Sequence, residues 1–187
     1  MTQREVAGSN HDDTNHDDTM MGLSYLGLGA NLPHPVHGSP RETLEAVVAA
    51  LRQQGLDVVA RSSWYESAPV PMADQPWYVN GVVAIRNALP AVDLLQKLHQ
   101  MEAQFGRVRS VVNAPRVVDI DLLDHRGECR SGQADGPVLP HPRMAERSFV
   151  LLPLQEIAPD WRHPVSGLAV TQLIKTLPPD QITRVLA

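Results

Sequence analysis

The sequence predicts an α+β sandwich, and three observations carry the prediction. Apolar stretches of strand length alternate with two longer stretches whose apolar residues recur every three or four positions. Their order reads strand, helix, strand, strand, helix, strand. Segments rich in glycine and proline separate them. A βαββαβ order builds a ferredoxin-like sheet with both helices on one face. The remaining sequence adds a hairpin and C-terminal helices.

Residues 24–30 form the first strand, short and apolar, and 31–38 a loop. The first helix carries clear start signals: Ser39 as N-cap, Pro40 in the first helical position and Glu42 completing a capping box. Leu44, Val47, Val48 and Leu51 give its apolar stripe, and Gly55 ends it. Residues 56–64 read as the second strand. Residues 67–76 hold Pro69, Pro71 and Pro76 and are predicted to be a loop. The third strand covers 78–85, with Asn80 and Gly81 inside it. The second helix covers 90–105, its core face marked by Leu94, Leu98, Met101 and Phe105, and Gly106 stops it. The fourth strand is 117–123, followed by a hairpin and connection over 122–139. A buried helix is predicted over 147–156, closed by 158–160, and a short helix around 170–176.

The chain is 43% hydrophobic and 20% charged, the composition of an ordinary globular protein. Its 187 residues suffice for one domain with a proper core. Residues 1–21 are expected to be a disordered acidic tail containing the repeat NHDDT-NHDDT, and 22–187 a single domain. His11, Asp12, His16 and Asp17 of that tail read as solvated rather than metal-binding. Residues 1–20 carry Glu5, Asp12, Asp13, Asp17 and Asp18 against Arg4 alone, so the formal charge of -5 sits mostly there. The remainder is close to neutral, which argues against nucleic acid as a partner. The longest apolar runs are far short of a membrane span, and the N-terminus has no apolar signal region. Cys129 is the only cysteine, so no internal disulfide forms, in keeping with a cytoplasmic place. It sits in a turn and is not expected to be a nucleophile.

The most informative stretch runs from Arg107 to Leu123. Asp119 and Asp121 alternate with Val118, Ile120 and Leu122, so both acids point to one face of a strand. Two like charges roughly 7 Å apart repel, and a divalent cation between them would turn that cost into a site. Arg107, Arg109 and Arg116 precede them. Carboxylates for Mg2+ beside guanidiniums for phosphate are the parts that phosphoryl-type transfer needs. A plain strand with one wet face also alternates in this way. There is no G-x-x-x-x-G-K-[ST], no third glycine after Gly27 and Gly29, no H-E-x-x-H, no C-x-x-C and no G-x-S-x-G. A nucleotide would therefore meet arginines, a histidine and a metal rather than a glycine cradle.

Six segments in order carry a family resemblance: YLGLGAN at 25–31, SSWYESAPV at 62–70, DQPWYVN at 74–80, E-x-x-F-G-R-V-R at 102–109, PRVVDIDLL at 115–123 and LPHPRMAERSFVLLPLQEIAPDW at 139–161. Across about 24–165 the chain resembles 6-hydroxymethyl-7,8-dihydropterin pyrophosphokinase of folate biosynthesis. The resemblance implies a ferredoxin-like fold, two Mg2+ ions and transfer of diphosphate from ATP to the pterin hydroxymethyl group, with release of AMP; a monomer is expected. It implies that Asp119 and Asp121 hold the metal ions. Arg107 and Arg109 belong to loop arginines that close over the site. Glu102, Arg116, His141 and Arg147 face ATP. Ser67, Ala68, Pro69, Val70, Tyr78, Asn80 and Phe149 face the pterin. By its own sequence Glu102 reads equally as an exposed helix acid, and Phe149 as a core residue. The chain departs from the family between Arg109 and Pro115, where Val111, Val112, Asn113 and Ala114 include no aromatic, and at Pro142, where an aromatic often follows the histidine. The alternatives are a non-catalytic small-molecule binding module on the same scaffold and another metal-dependent nucleotidyl transferase. Retention of Asp119, Asp121, Arg116 and His141 favours the enzyme over the first, and Asn80 with the pterin-side loop disfavours the second.

Overall fold

The computed structural model describes residues 22–69, 72, 74–107, 116–132 and 136–187. The acidic repeat therefore lies outside the described residues.

Strand β1 (Leu23–Ala30) is central. It pairs antiparallel with β4 (Tyr78–Arg86) on one side and with β5 (Asp119–His125) on the other. Beyond β4 lie β2 (Asp57–Arg61) and β3 (Tyr65–Ser67), both paired with it. The predicted strand over 56–64 is thus shorter, ending at Arg61, and a separate strand that the sequence does not predict, β3, begins just after Trp64. The cause is Trp64. Its ring packs over Gly81, where a Cβ would come within 2.6 Å of it, and its indole N–H donates to Glu45 at 2.7 Å. The backbone must leave the regular ladder between the two strands to seat that side chain. The order of long strands, with β2 and β3 sharing the outer place, is that of a ferredoxin-like sheet.

Helices α1 (Pro40–Gln53) and α2 (Ala91–Gln104) cover one face. The start of α1 forms as its sequence predicts: the Ser39 hydroxyl accepts from the Glu42 N–H, and the Glu42 carboxylate accepts from the Ser39 N–H at 2.7 Å. Leu44, Val47, Val48 and Leu51 of α1, with Leu94, Leu98 and Met101 of α2, are buried against Leu26, Leu28, Ile120 and Leu122 of the sheet.

The opposite face is not a plain wet surface. After β5 come the small pair β6 (Arg130–Ser131) and β7 (Val138–Leu139), then a 3-10 turn (Met144–Glu146). Helix α3 (Ser148–Ile157) and the short α4 (Val170–Lys175) follow. Val150, Leu151 and Leu154 of α3 and Leu173 of α4 pack on Tyr25, Val82, Ala84 and Leu123. The sheet is therefore buried on both sides over much of its area. Strand β8 (Thr183–Val185), which no periodicity in the sequence announces, adds to the outer edge by pairing with β3. Among the described residues no helix is long and apolar enough to cross a membrane.

Candidate active site

Strand register places the site. Asn80 of β4, Gly29 of β1 and Asp119 of β5 are cross-strand partners in one row, and Val82, Gly27 and Asp121 form the next row on the same face. Both rows have glycine in the middle, so the floor between Asn80 and the two aspartates is bare backbone. A Cβ at Gly29 would sit 3.2 Å from Asn80 Oδ1 and 3.9 Å from the Asp119 Cβ. Glycine in a strand interior commonly marks such a close approach.

A cavity of about 760 Å³ opens over this floor. Asp119, Asp121 and Arg116 edge it on one side, and Ser67, Ala68, Tyr78 and Asn80 on the other. Arg147 and Phe149 come from the start of α3. Asn80 donates to the Ser67 hydroxyl at 2.8 Å, which orients its amide. Pro69 is buried next to Ala68. Val70 and Arg109 fall outside the described residues.

A second cavity of about 430 Å³ lies beyond β5. Leu95, Ile120, Leu122 and Val138 are among its apolar lining, and His99, Glu102, Arg107, Asp121 and His141 supply its polar groups. Asp121 lines both cavities.

The charges between them form a network. Asp119 accepts from Arg107 through one oxygen and from Arg116 through the other. Arg107 also pairs with Glu102, and Glu102 accepts the Ile120 N–H at 2.8 Å. Only 2% of Glu102 is exposed, which rules out the surface-acid reading. Asp121 is 3.9 Å from Arg147. Burial, helped by the Asp119 charge, pushes the Asp121 carboxyl up to about 6, against the pull of Arg147, Arg107 and Arg116. Burial and the charges of Arg147 and Arg143 hold the His141 pKa below the usual histidine value, which favours the neutral ring. Its Nδ1 accepts from the Arg143 N–H at 3.2 Å, which leaves Nε2 as the proton-bearing donor.

The predicted residues within the described part thus gather around two adjoining cavities. Phe149 is a cavity wall as well as a partly buried neighbour of the second core. Sequence reasoning missed several others. Asn31 is buried and accepts the Arg116 N–H at 2.8 Å while donating to the Pro76 carbonyl at 3.1 Å, so it joins the two sides of the site. The YLGLGAN motif contained Asn31, Gly27 and Gly29, but only strand pairing gives them a place. Thr176, Pro178 and Gln181 close the larger cavity from the C-terminal segment.

Comparison with known proteins gives a consistent result. The family model for 7,8-dihydro-6-hydroxymethylpterin-pyrophosphokinase (HPPK) matches residues 25–159. The 2-amino-4-hydroxy-6-hydroxymethyldihydropteridine pyrophosphokinase of Synechocystis sp. is 41% identical over 151 residues, covering 80% of this chain and 73% of its own. The protein of the same name from Methylorubrum extorquens is 40% identical over 166 residues, covering 88% of this chain and 99% of its own. A solved HPPK-DHPS chain of Plasmodium falciparum has the same fold, with a TM-score of 0.60 over 82% of this chain at 12% identity. This chain spans 42% of that longer one. A match that runs from the glycine floor of β1 to the end of α3, and that includes the β-strand walls of both cavities and the α3 wall of the larger one, identifies the chain as a member of the 7,8-dihydro-6-hydroxymethylpterin-pyrophosphokinase family.

Proposed function

We propose that this chain transfers diphosphate from ATP to the hydroxymethyl group of 6-hydroxymethyl-7,8-dihydropterin, releasing AMP, as a step of folate biosynthesis. The observation that carries this reading is the position of Asp121 in the wall shared by two cavities of different character. The larger one offers a bare floor, the Phe149 ring and the oriented amide of Asn80, which suit a flat heterocycle with hydrogen-bonding edges. The smaller one is an apolar slot that suits a purine. A triphosphate reaching from the slot toward the pterin would pass Arg107, Arg116 and Arg147. These arginines, with Arg109, are assigned to phosphate charge, and the neutral His141 to a hydrogen bond from Nε2.

Chemically, the pterin alcohol oxygen bonds to the β-phosphorus, the bond from that phosphorus to the α-phosphate oxygen breaks, and AMP leaves. The chain's residues bind, align and neutralise, and no covalent intermediate is needed.

Asp119 and Asp121 fit Mg2+ as ligands completed by phosphates and water. Among the described residues no cluster of three His, Cys, Asp or Glu surrounds them, and Mg2+ is commonly held by one or two carboxylates plus substrate phosphates. Two such ions, when bound, would supply charge neutralisation and lower the pKa of the alcohol. Each Asp119 oxygen accepts from an arginine. Incoming phosphates would draw those arginines away and free the carboxylate for the metal, which couples nucleotide and metal binding. A monomer with one domain over 22–187, in the cytoplasm, completes the proposal.

Incubation of the protein with ATP, Mg2+ and the hydroxymethyl dihydropterin tests it. AMP should form in step with pterin diphosphate, and only when the pterin is present. ADP as the product, or no turnover, would contradict the reading.

A further inference from the structure

The segment after residue 159, beyond the family match, closes the larger cavity, and one of its side chains engages the backbone of the site. The Gln181 amide oxygen accepts the Ser148 N–H at 2.7 Å, and its amide nitrogen donates to the Glu146 carbonyl at 2.7 Å. These groups belong to the two peptide units that flank Arg147. A planar amide bonded to both holds Arg147 extended, at φ -120 and ψ 114, where the 3-10 turn gives way to α3. Arg147 occupies the N-cap position and provides no side-chain cap, so Gln181 satisfies the Ser148 N–H from 33 positions downstream. The hydroxyls of Ser148 and Thr183 lie 2.7 Å apart and make a second tie. The tied segment carries the side chains that face the cavity. Arg147 reaches toward Asp121, and its guanidinium lies 5.5 Å from the centre of the Phe149 ring.

We infer that Gln181 is a positioning residue for both substrates, acting through Arg147 on the phosphates of ATP and through Phe149 on the pterin. This rests on the proposed roles of those two residues. Without the amide, two backbone groups lose their partners and the Glu146–Ser148 junction is free to adopt other angles. The side chains on either side of Ser148 then no longer share one fixed orientation. Burying an aromatic and an arginine in register with two ligands is the kind of alignment that such freedom degrades.

The test is equilibrium binding by the full chain of the hydroxymethyl dihydropterin, and of α,β-methylene ATP with Mg2+, alongside thermal unfolding. Gln181→Met keeps the side-chain length and removes both hydrogen bonds. It should weaken each ligand about tenfold. Gln181→Glu keeps the acceptor for Ser148 and should fall between Gln181→Met and the parent. Added to Phe149→Ala, Gln181→Met should cost less pterin affinity than it does alone. Glu42→Ala, which breaks the α1 capping box, should lower the unfolding midpoint and leave both affinities unchanged, so lost stability alone does not mimic the effect. If Phe149→Ala and Arg147→Ala weaken their ligands and Gln181→Met weakens neither, the positioning role is overturned while the reading of the site stands. If Phe149→Ala and Arg147→Ala change nothing, the reading of the site fails and the role of Gln181 fails with it. Should Gln181→Met not fold, parental affinities in Gln181→Glu overturn the inference.

Discussion

Asp121, proposed as a metal ligand, is a side chain whose charge costs the fold. Its carboxyl is pushed up to about 6 by burial and by Asp119. A carboxyl whose folded pKa lies above its usual value of about 4 favours the folded state while protonated, and that contribution is lost as pH rises through the folded pKa. Without metal, Asp121→Asn should therefore match the parent in thermal stability near pH 4 and exceed it above pH 7. Equal midpoints at both pH values would show that the carboxylate is not under strain. In the enzyme assay, Asp119→Ala or Asp121→Ala should each cut turnover by a factor on the order of 100 or more, with circular dichroism unchanged. Parental rates in both would show that neither aspartate takes part in the reaction. Gly29 contributes by lacking a side chain. Gly29→Ala would put a methyl 3.2 Å from Asn80 Oδ1, so it should weaken pterin binding several-fold while ATP binding holds. Ligand titrations of this variant would show the split, and equal losses for both ligands would count against a bare floor shaped for the pterin. The aspartates were legible because charge on a strand is conspicuous. Gly27 and Gly29 were not, because their role depends on which strands lie beside β1, and nothing local to YLGLGAN encodes that.

Elements whose causes are local were read well. The start of α1 is set by Ser39, Pro40 and Glu42 within four residues, and its apolar stripe became the buried face. Elements whose causes are distant were not. Strand β3 depends on Trp64 finding Gly81, and β8 depends on the edge that β3 presents. The face that carries the aspartates is covered in part because α3 and α4 return to it, which an alternating strand pattern does not announce. Helix α2 meets β5 through Glu102, whose carboxylate takes the Ile120 N–H and pairs with Arg107. Removing a buried acid that serves Arg107 and the Ile120 N–H is costly. Glu102→Ala should lower unfolding stability by about 2–4 kcal/mol, and Glu102→Gln by less because its amide oxygen can still accept from Ile120. Urea unfolding measures both, and equal losses would mean that the Ile120 bond contributes nothing.

At the scale of the whole molecule, one sheet serves two purposes. Its α1 and α2 face builds the core, and its other face is divided between the α3 and α4 packing and the glycine floor. The two cavities adjoin at β5 because Asp121 stands on its cavity face while Ile120 and Leu122 line the smaller cavity from the alternate positions. A chain beginning at Gly22 should retain full turnover if the acidic repeat takes no part in the reaction, which a comparison of kcat and KM for the two chains would check. The central claim is that the two substrates meet at Asp121. A crystal structure with the hydroxymethyl dihydropterin, α,β-methylene ATP and Mg2+ tests it most directly. The pterin should lie over Gly27 and Gly29 against Phe149, the adenine in the slot beside Leu95 and Val138, and the pterin hydroxyl should face the β-phosphorus next to Asp119 and Asp121. Both ligands in one cavity, or a hydroxyl directed away from the aspartates, would contradict it.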